Sequence, residues 1–243
     1  MRLTRVHVDE PLAIGKRLVI GGSAANHVTR VLRLRAGDAV TLFDGRGGEF
    51  SGRIEAFGRD TVTVSVLEEH AIDRESPLSL TLAQGVSRGE RMDWVIQKAT
   101  ELGVSRIVPV LTERSVVRLD AKQAEKKLQH WRGIAVAACE QSGRNRVPDV
   151  GTPLNFHECI RSTETTHTRL LLSPAGDLRI DDLRDIGAGV TVLIGPEGGL
   201  TDSEQEAALA AGFKAVRLGP RVLRTETAAI AALTILQSDF GDL

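Results

Sequence analysis

The sequence predicts an α/β protein of two domains: a small N-terminal domain of the β-barrel type and a larger C-terminal domain with a parallel sheet. Two patterns predict this. The first seventy residues alternate short β-type runs with turns rich in Gly and Asp, whereas strands alternate with helices from Leu78 onward. Aromatic residues make up only 3% of the 243 residues and Tyr is absent. The cores must therefore consist of Leu, Val, Ile and Ala, as in layered α/β proteins.

Four strands and one helix are predicted in the N-terminal domain. Apolar and β-branched residues alternate along the strands, and Gly-containing turns separate them. The helix spans Ser23 to Leu34. The polar segment 70–77 ends in Pro and is the predicted linker, so we divide the chain into domains 1–72 and 73–243. The predicted strands are RLVIGG, AVTLFDG, EFSGRIEAF and TVTVSVLEE.

The C-terminal domain begins with a buried strand, SLTLAQGV, and a helix from about Glu90 to Leu102. Gly103 is well placed to end this helix. A second, longer helix is predicted from about Ala121 to Ser142, with Gly143 as its C-cap. Strands alternate with helices, which implies a parallel sheet covered on both faces. The other predicted strands are RIVPVLT, TRLLLSP, GVTVLIG and FKAVRLG.

Charge and cysteine content restrict the function classes. The net charge of −1 is unusual for a protein that binds nucleic acid, but residues 86–146 contain 12 Lys and Arg against 7 Asp and Glu. This basic segment is compatible with RNA binding by one face of the protein.

Cysteine content and hydropathy give two further expectations. Two cysteines, Cys139 and Cys159, are too few for a disulfide framework, and no histidine has metal-ligand spacing with them, so we expect no metal. No segment has transmembrane length and the N-terminus has no apolar signal region, so we expect a cytoplasmic protein.

The first notable loop is GPEGGL at residues 195–200. It follows a buried strand and precedes an amphipathic helix that opens at Thr201 or Asp202. Its three glycines allow backbone amides to approach a ligand closely. It fits neither the dinucleotide pattern GxGxxG nor the phosphate-loop pattern GxxxxGK[ST], so by itself it is better explained as a tight strand–helix turn than as a ligand-binding loop.

The second loop, LGPRVLRTETA at residues 218–228, also joins a strand to a helix. Thr225 is the expected N-cap, and Glu226 lies in the first helical turn. Arg221 and Arg224 lie where the carboxyl end of a parallel strand is expected, which is where open α/β sheets bind ligands. An arginine there either clamps backbone carbonyls or stabilises an anion or a transition state.

Together, the two loops resemble the second and third motifs of the SPOUT methyltransferases. Over essentially its whole length, the chain is similar to the RsmE-type 16S ribosomal RNA uridine-N3 methyltransferases. The other stretches of similarity are NHVTRVLRLRAGD at 26–38, LFDG at 42–45, SRGERMDWVIQKATELGV at 87–104, ERS at 113–115 and AACEQSGRNRVP at 137–148.

The resemblance implies a PUA-like N-terminal domain, a SPOUT-type parallel sheet with a deep trefoil knot, and a homodimer. The implied reaction is methylation of N3 of one uridine, numbered 1498, in the 16S rRNA of the assembled small subunit. The implied cofactor is S-adenosylmethionine, held between the knot loops. The cofactor-binding residues that the resemblance implies are Leu172, Gly195, Pro196, Glu197, Gly198, Gly199, Leu218, Leu223 and Thr225.

Methylation of uridine N3 requires alignment of the two reactants, loss of the N3 proton and compensation of the negative charge on the ring. We assign charge compensation to Arg221 and Arg224. Glu226 is the candidate general base, although a carboxylate there also simply favours the helix N-terminus. The base has to be unpaired or splayed out of its helix for this edge to be reached.

RNA contacts are predicted from charged residues in four regions. The N-terminal domain has arginines that alternate with apolar residues near the N-terminus and a His and Arg cluster on the first helix; without aromatic partners, these suit phosphate contacts more than base stacking. The EQSGRN stretch is the third region. The fourth is the start of the helix from Glu90, where the cations of Arg88 and Arg91 are unfavourable for the helix dipole and hint at an external anion such as an RNA phosphate. A solubilising surface or ordinary helix capping explains several of them equally well. The predicted RNA-binding residues are Arg2, Arg5, His27, Arg30, Arg33, Arg88, Glu140 and Arg144.

Three other functions have to be compared with this one. A SPOUT enzyme that modifies a ribose 2′-hydroxyl or a tRNA is disfavoured by the N-terminal domain and the EQSGRN stretch. A non-catalytic assembly factor would not need intact GPEGGL and LRTETA loops. A nucleotide-binding protein would need the phosphate-loop lysine, which is missing here.

Overall fold

The computed structural model describes residues 4–117 and 119–243, so the predicted RNA contact of Arg2 lies outside the described residues. The chain forms two compact units. The first comprises Met1–Glu75 together with Val136–Val147, and the second comprises Ser76–Ala135 and Pro148–Leu243. The segment 136–147 therefore groups with the N-terminal unit, although the sequence-based boundary places it in the C-terminal domain.

The first unit contains a five-stranded sheet. The strand order is β1-β3-β4-β5-β2, and only the pair β1–β3 is parallel. The four strands predicted from alternation are confirmed. In β5, for instance, Val62, Val64 and Val66 are buried and the residues between them are not. The strands are β1 Arg5–His7, β2 Arg17–Gly21, β3 Ala39–Phe43, β4 Glu49–Phe57 and β5 Thr61–His70.

The helix predicted for Ser23 to Leu34 consists of two parts. Helix α1, Gly22–Asn26, continues directly into a π-helical segment, His27–Leu32. The segment ends at Arg33, whose φ of 57° is the only positive value at a non-glycine residue within the described chain. Val28 anchors the π-helical segment in the core of the unit.

The second unit is built on a parallel seven-stranded sheet. Six strands follow the order β12-β10-β11-β6-β7-β8, and β9 pairs with β7. All recorded pairings in this sheet are parallel. Every residue of β11 is buried, so this strand is covered on both faces, as predicted. The strands are β6 Leu80–Gly85, β7 Arg106–Leu111, β8 Asp149–Val150, β9 Leu154–Asn155, β10 Thr168–Leu172, β11 Val190–Ile194 and β12 Lys214–Val216.

The predicted helices are confirmed, and a shorter one was missed. The glycines expected to end α2 and α3 have positive φ, 79° at Gly103 and 88° at Gly143. Thr201 caps α5 in a reciprocal capping box with Glu204. Helix α4, seven residues long, was not predicted. The helices are α2 Glu90–Glu101, α3 Ala121–Ser142, α4 Phe156–Ser162, α5 Asp202–Ala210 and α6 Thr225–Phe240.

The two cysteines are free and buried. Burial raises the pKa of the Cys139 thiol to about 12 and that of Cys159 to about 11. Of the helices in the described chain, none combines the length and the apolar character needed to cross a membrane. No cluster of three or more His, Cys, Asp or Glu suited to a metal ion occurs in residues 4–117 and 119–243.

Candidate active site

A cavity of about 600 Å³ lies in the second unit, where the loops after β10, β11 and β12 meet. These three strands are adjacent and parallel, so their carboxyl ends lie at one edge of the sheet. The N-terminal turns of α2 and α6 complete the wall, contributing Arg91 and Glu226. The volume is in the range of sites for small ligands and cofactors.

The loop after β11 is held in place by close backbone contacts. A Cβ atom at Gly85, the last residue of β6, would lie 2.4 Å from the Pro196 nitrogen, so only glycine allows this approach. The Arg114 guanidinium donates to the carbonyls of Gly198 and Leu200, at 3.2 and 3.3 Å. The start of the loop is therefore packed against the end of β6, and its end is held by the Arg114 side chain.

Thr225 connects three segments at the edge of the cavity. Its hydroxyl donates to the carbonyl of Gly195 at 2.6 Å and accepts from Gln84 Nε2 at 2.9 Å. The prediction that Thr225 is the N-cap of α6 is wrong. Arg224 occupies the cap position with extended φ and ψ, and Thr225 is the first helical residue. Its hydroxyl is directed to the neighbouring loop instead of to the helix backbone.

Two carboxylates line the cavity, and their surroundings differ. Glu197 Oε1 accepts from the Arg88 backbone N–H at 3.0 Å and from Arg91 Nη1 at 2.8 Å. Burial tends to raise the pKa of Glu197, but hydrogen bonds from its own backbone N–H, the Arg88 N–H and the Arg91 side chain, with the charge of Arg91, hold it below the usual value. Glu226 Oε2 is buried and has no hydrogen-bond partner among the described residues. Of the two carboxylates, Glu226 has the oxygen that lacks a hydrogen-bond donor among the described residues.

The two candidate arginines lie at the exposed side of the cavity. Arg221 and Arg224 are exposed, and within the described chain neither forms an ion pair. Val222, between them, is 82% exposed. Two unpaired guanidinium groups beside one cavity are a suitable environment for an anionic substrate.

The inner surface fits a group that combines apolar and hydrogen-bonding parts. Gly199 and Gly219 have φ of 69° and 84°, and no atom lies within 4 Å of the position a Cβ would take at either residue. They leave open space beside backbone polar groups. S-adenosylmethionine has such a combination of an apolar ring, hydroxyls and charged ends, so the residues present fit the expected cofactor. The apolar lining is Leu172, Ile194, Val216, Leu218 and Leu223.

The structure brings together the predicted catalytic and cofactor-binding residues. All twelve of them except Gly198 line the cavity. Sequence reasoning missed Gln84, although a polar residue at the end of an otherwise apolar strand was a usable signal. It also gave Arg91 no role in the cavity. The remaining unpredicted lining residues include Ser173, Pro174, Ala175 and Gln205.

In the first unit, the prediction that Arg5 and Arg144 present their charges to RNA is wrong, because both residues are buried. Arg5 is 2% exposed; it forms an ion pair with Glu49 and donates to Asn145 Oδ1 at 2.5 Å. Arg144 is 5% exposed and donates from Nε to Glu75 Oε2 at 2.9 Å. These arginines hold the sheet, the linker and the end of α3 together.

Glu140 is also interior. It accepts from the His7 backbone N–H at 3.1 Å, and its other oxygen lies 3.6 Å from His27 Nδ1. Burial raises the pKa of Glu140, against the hydrogen bond from His7 and the neighbouring charges of His27, His7 and Arg5. A direct RNA contact by Glu140 is therefore not supported, whereas Arg30 and Arg33 are exposed.

Comparison with known proteins agrees with this architecture. The family described as RNA methyltransferase domain matches residues 74–237, and the RNA methyltransferase PUA domain matches residues 20–67. Ribosomal RNA small subunit methyltransferase E from Buchnera aphidicola subsp. Schizaphis graminum is 34% identical over 242 residues, which are 100% of this chain and 98% of the relative. The Bacillus subtilis protein of that name is 32% identical, covering 97% of this chain and 94% of its own.

Two solved structures are similar over 100% of both chains. Ribosomal RNA small subunit methyltransferase E from Neisseria gonorrhoeae, bound to S-adenosyl methionine, has a TM-score of 0.92 and 38% identity. A putative methyltransferase from Legionella pneumophila, in complex with the bound cofactor SAM, has a TM-score of 0.96 and 41% identity. The chain belongs to the family of ribosomal RNA small subunit methyltransferases E, enzymes that join an RNA methyltransferase domain to a PUA domain.

Proposed function

We propose that this protein uses S-adenosylmethionine to methylate N3 of one uridine, position 1498, in the 16S rRNA of the assembled small subunit. The observation that supports this best is the cavity: the residues implied by the two loop motifs converge there from separate strands. The full-length similarity to two proteins solved with S-adenosylmethionine supports the same cofactor.

In this proposal the loops 195–200 and 218–225 hold the cofactor, mainly through backbone groups. The hydrogen bonds among Gln84, Thr225 and Gly195 fix the spacing of the two loops. When bound, S-adenosylmethionine supplies a methyl group on a sulfonium, so that N3 gains the methyl carbon while the carbon–sulfur electron pair leaves with S-adenosylhomocysteine.

The chain contributes a proton acceptor and positive charge. Glu226 Oε2, buried and without a partner among the described residues, accepts the N3 proton of uridine. Glu197 is the poorer acceptor, since Arg88 and Arg91 already donate to it. Arg221 and Arg224 offset the negative charge that the ring acquires.

RNA positioning is assigned to basic residues of both units, of which Arg30, Arg33 and Arg88 are exposed and His27 is half-buried. His27, Arg30 and Arg33 lie on or beside the π-helical segment, and Arg88 precedes α2. Such residues contact phosphates and set the register of the RNA without reading its sequence. The proposal also includes the deep trefoil knot and the homodimer that the family resemblance implies; light scattering of the purified protein tests the latter.

The test incubates the protein with methyl-labelled S-adenosylmethionine and small subunits or naked 16S rRNA, followed by mass spectrometry of the digested nucleosides. We expect label on N3 of a single uridine, with the assembled subunit as the better substrate. Label on a ribose 2′-hydroxyl contradicts the proposed chemistry. Tight RNA binding with no transfer indicates an assembly factor instead.

The role of Arg224 is tested by Arg224→Ala. We expect the affinity for S-adenosylmethionine, measured by calorimetry, to be retained, and single-turnover methylation to fall by about 10²- to 10³-fold, as for the loss of one transition-state donor. Arg217→Ala is the matched control, because Arg217 is exposed in the same region but does not line the cavity. Loss of cofactor affinity in Arg224→Ala contradicts its assignment to the RNA.

A further inference from the structure

Arg91 lies between the two carboxylates of the cavity. Its Nη1 is 2.8 Å from Glu197 Oε1, and its Nε is 3.9 Å from Glu226 Oε1. Glu197 follows β11 and Glu226 begins α6, so one guanidinium contacts two elements that are 29 residues apart in sequence. Neither residue is fully solvated, with side-chain exposures of 27% for Glu197 and 17% for Glu226.

The position of Arg91 is set by the packing of α2. Met92, Val95 and Ile96 are buried on this helix, which contacts α6. Arg91 lies in the first turn, where the helix dipole disfavours a cation. The two nearby carboxylates of the cavity loops offset this unfavourable term.

The contacts of Arg91 also distinguish the oxygens of Glu226. Arg91 lies nearest to Oε1, whereas Oε2 is buried with no partner in the described chain. A buried carboxylate oxygen without a donor is unfavourable by itself and indicates a missing ligand group. At 3.9 Å the guanidinium attracts Oε1 by charge and not by a hydrogen bond, which favours the carboxylate orientation that places Oε1 towards Arg91 and Oε2 away from it.

We propose that Arg91 is a positioning residue for methyl transfer: it joins Glu197 to Glu226 and thereby holds Glu226 Oε2 in place as the proton acceptor. The inference rests on the proposed function above. It adds a residue of the cavity wall that acts through Glu226. The charged groups around this carboxylate in the cavity wall are Arg91 from α2, Glu197 from the loop after β11, and Arg221 and Arg224 from the loop before α6.

The first test examines the ion pair without any reaction. The Glu197 carboxyl is titrated by ¹³C NMR in the wild type, in Arg91→Met and in Lys98→Met, with Glu197→Gln to assign the signal. Lys98 is the matched control, since it lies on the same helix and pairs with Glu101, at 2.8 Å, outside the cavity lining. We expect the pKa of Glu197 to rise only in Arg91→Met. An unchanged titration in that variant overturns the proposal.

The second test is a double-mutant cycle on single-turnover methylation with Arg91→Met, Glu226→Gln and the double variant. If Arg91 acts through Glu226, Arg91→Met slows the reaction by about tenfold in the wild-type background and has no further effect in Glu226→Gln. Arg91→Lys should recover part of the rate, and Lys98→Met should match the wild type. Additive losses in the double variant overturn the positioning role in an active enzyme. Absence of transfer by the wild type overturns the proposed function itself, which is a separate result.

Discussion

Substitution of Gly85 by alanine should damage the cofactor cavity without changing any residue that lines it. The new Cβ would lie 2.4 Å from the Pro196 nitrogen and 2.7 Å from the Gly195 carbonyl carbon, where contacts under 3.0 Å are essentially never seen. Both atoms are backbone, so no side chain can rotate away. Gly85 has no positive φ, so the effect comes from contact alone.

The magnitude follows from the ways in which this overlap can be relieved. Overpacking in a well-packed interior destabilises by about 1–3 kcal/mol, and a backbone clash belongs at the upper end. If the sheet stays in place, the loop 195–200 moves and the loss appears in cofactor binding, up to about a hundredfold in Kd. If the loop stays, the loss appears in the free energy of unfolding. The loss in the free energy of cofactor binding and the loss in the free energy of unfolding should together amount to about 3 kcal/mol.

Both quantities can be measured on the same samples. Trp94 and Trp131, the two tryptophans of the chain, lie in the second unit, so their fluorescence during urea unfolding reports on that unit. Calorimetry gives the affinity for S-adenosylmethionine. Gly133→Ala is the control, because a Cβ there meets nothing within 4 Å and should stabilise α3 by about 0.5–1 kcal/mol. A Gly85→Ala variant with unchanged stability and unchanged cofactor affinity would refute the steric reasoning.

Three further predictions concern the first unit. Glu75→Gln removes the charged partner of the buried Arg144 and should destabilise the first unit by about 3–5 kcal/mol. The control is Asp181→Asn, in an exposed ion pair of the second unit, which should cost less than about 1 kcal/mol. Amide hydrogen exchange measures the stability of the two units separately. Burial opposes ionisation of Glu49, but Arg74 and Arg5 hold its pKa below the ordinary value of 4.5. The contribution of Glu49 to stability is therefore present above the ordinary pKa and is lost as the pH falls through the lower pKa of the folded state. Glu49→Gln should flatten the loss of stability in acid, measured by urea unfolding from neutral to acid pH. Arg30→Ala with Arg33→Ala should weaken binding to small-subunit RNA and reduce the slope of log K against log salt by about two, measured by filter binding; an unchanged slope would show that these arginines do not contact phosphates.

The local features of the fold could be predicted from sequence because they depend on neighbouring residues. Helix α3 has the predicted bounds, and Gly143 ends it as expected. The strand from Thr61 follows from alternation alone. The two loops were located for a similar reason: each glycine-rich or arginine-bearing turn directly follows an apolar strand.

Other features depend on partners that are remote in sequence. Arg5 is buried because Glu49, 44 residues away, neutralises its charge, and Asn145, 140 residues away, accepts a hydrogen bond from it. The sequence around Arg5 contains no sign of them, so an alternating arginine was taken for an exposed one. The Thr225 hydroxyl likewise meets the carbonyl of Gly195, 30 residues away, and this contact replaces the local capping role that its neighbours predict.

The discontinuity of the first unit in sequence has a consequence for how the protein folds during synthesis. Five strands are complete once His70 has been made, but Arg5 and Glu75 receive Asn145 and Arg144 as partners only after about another seventy residues. Until then a nascent chain that closed this core would bury Arg5 without its Asn145 acceptor and would leave the Glu75 carboxylate without its arginine, which is unfavourable. The N-terminal unit is therefore expected to reach its native state only after residues 76–135 of the second unit have been made, and a fragment that ends at Glu75 should not fold cooperatively.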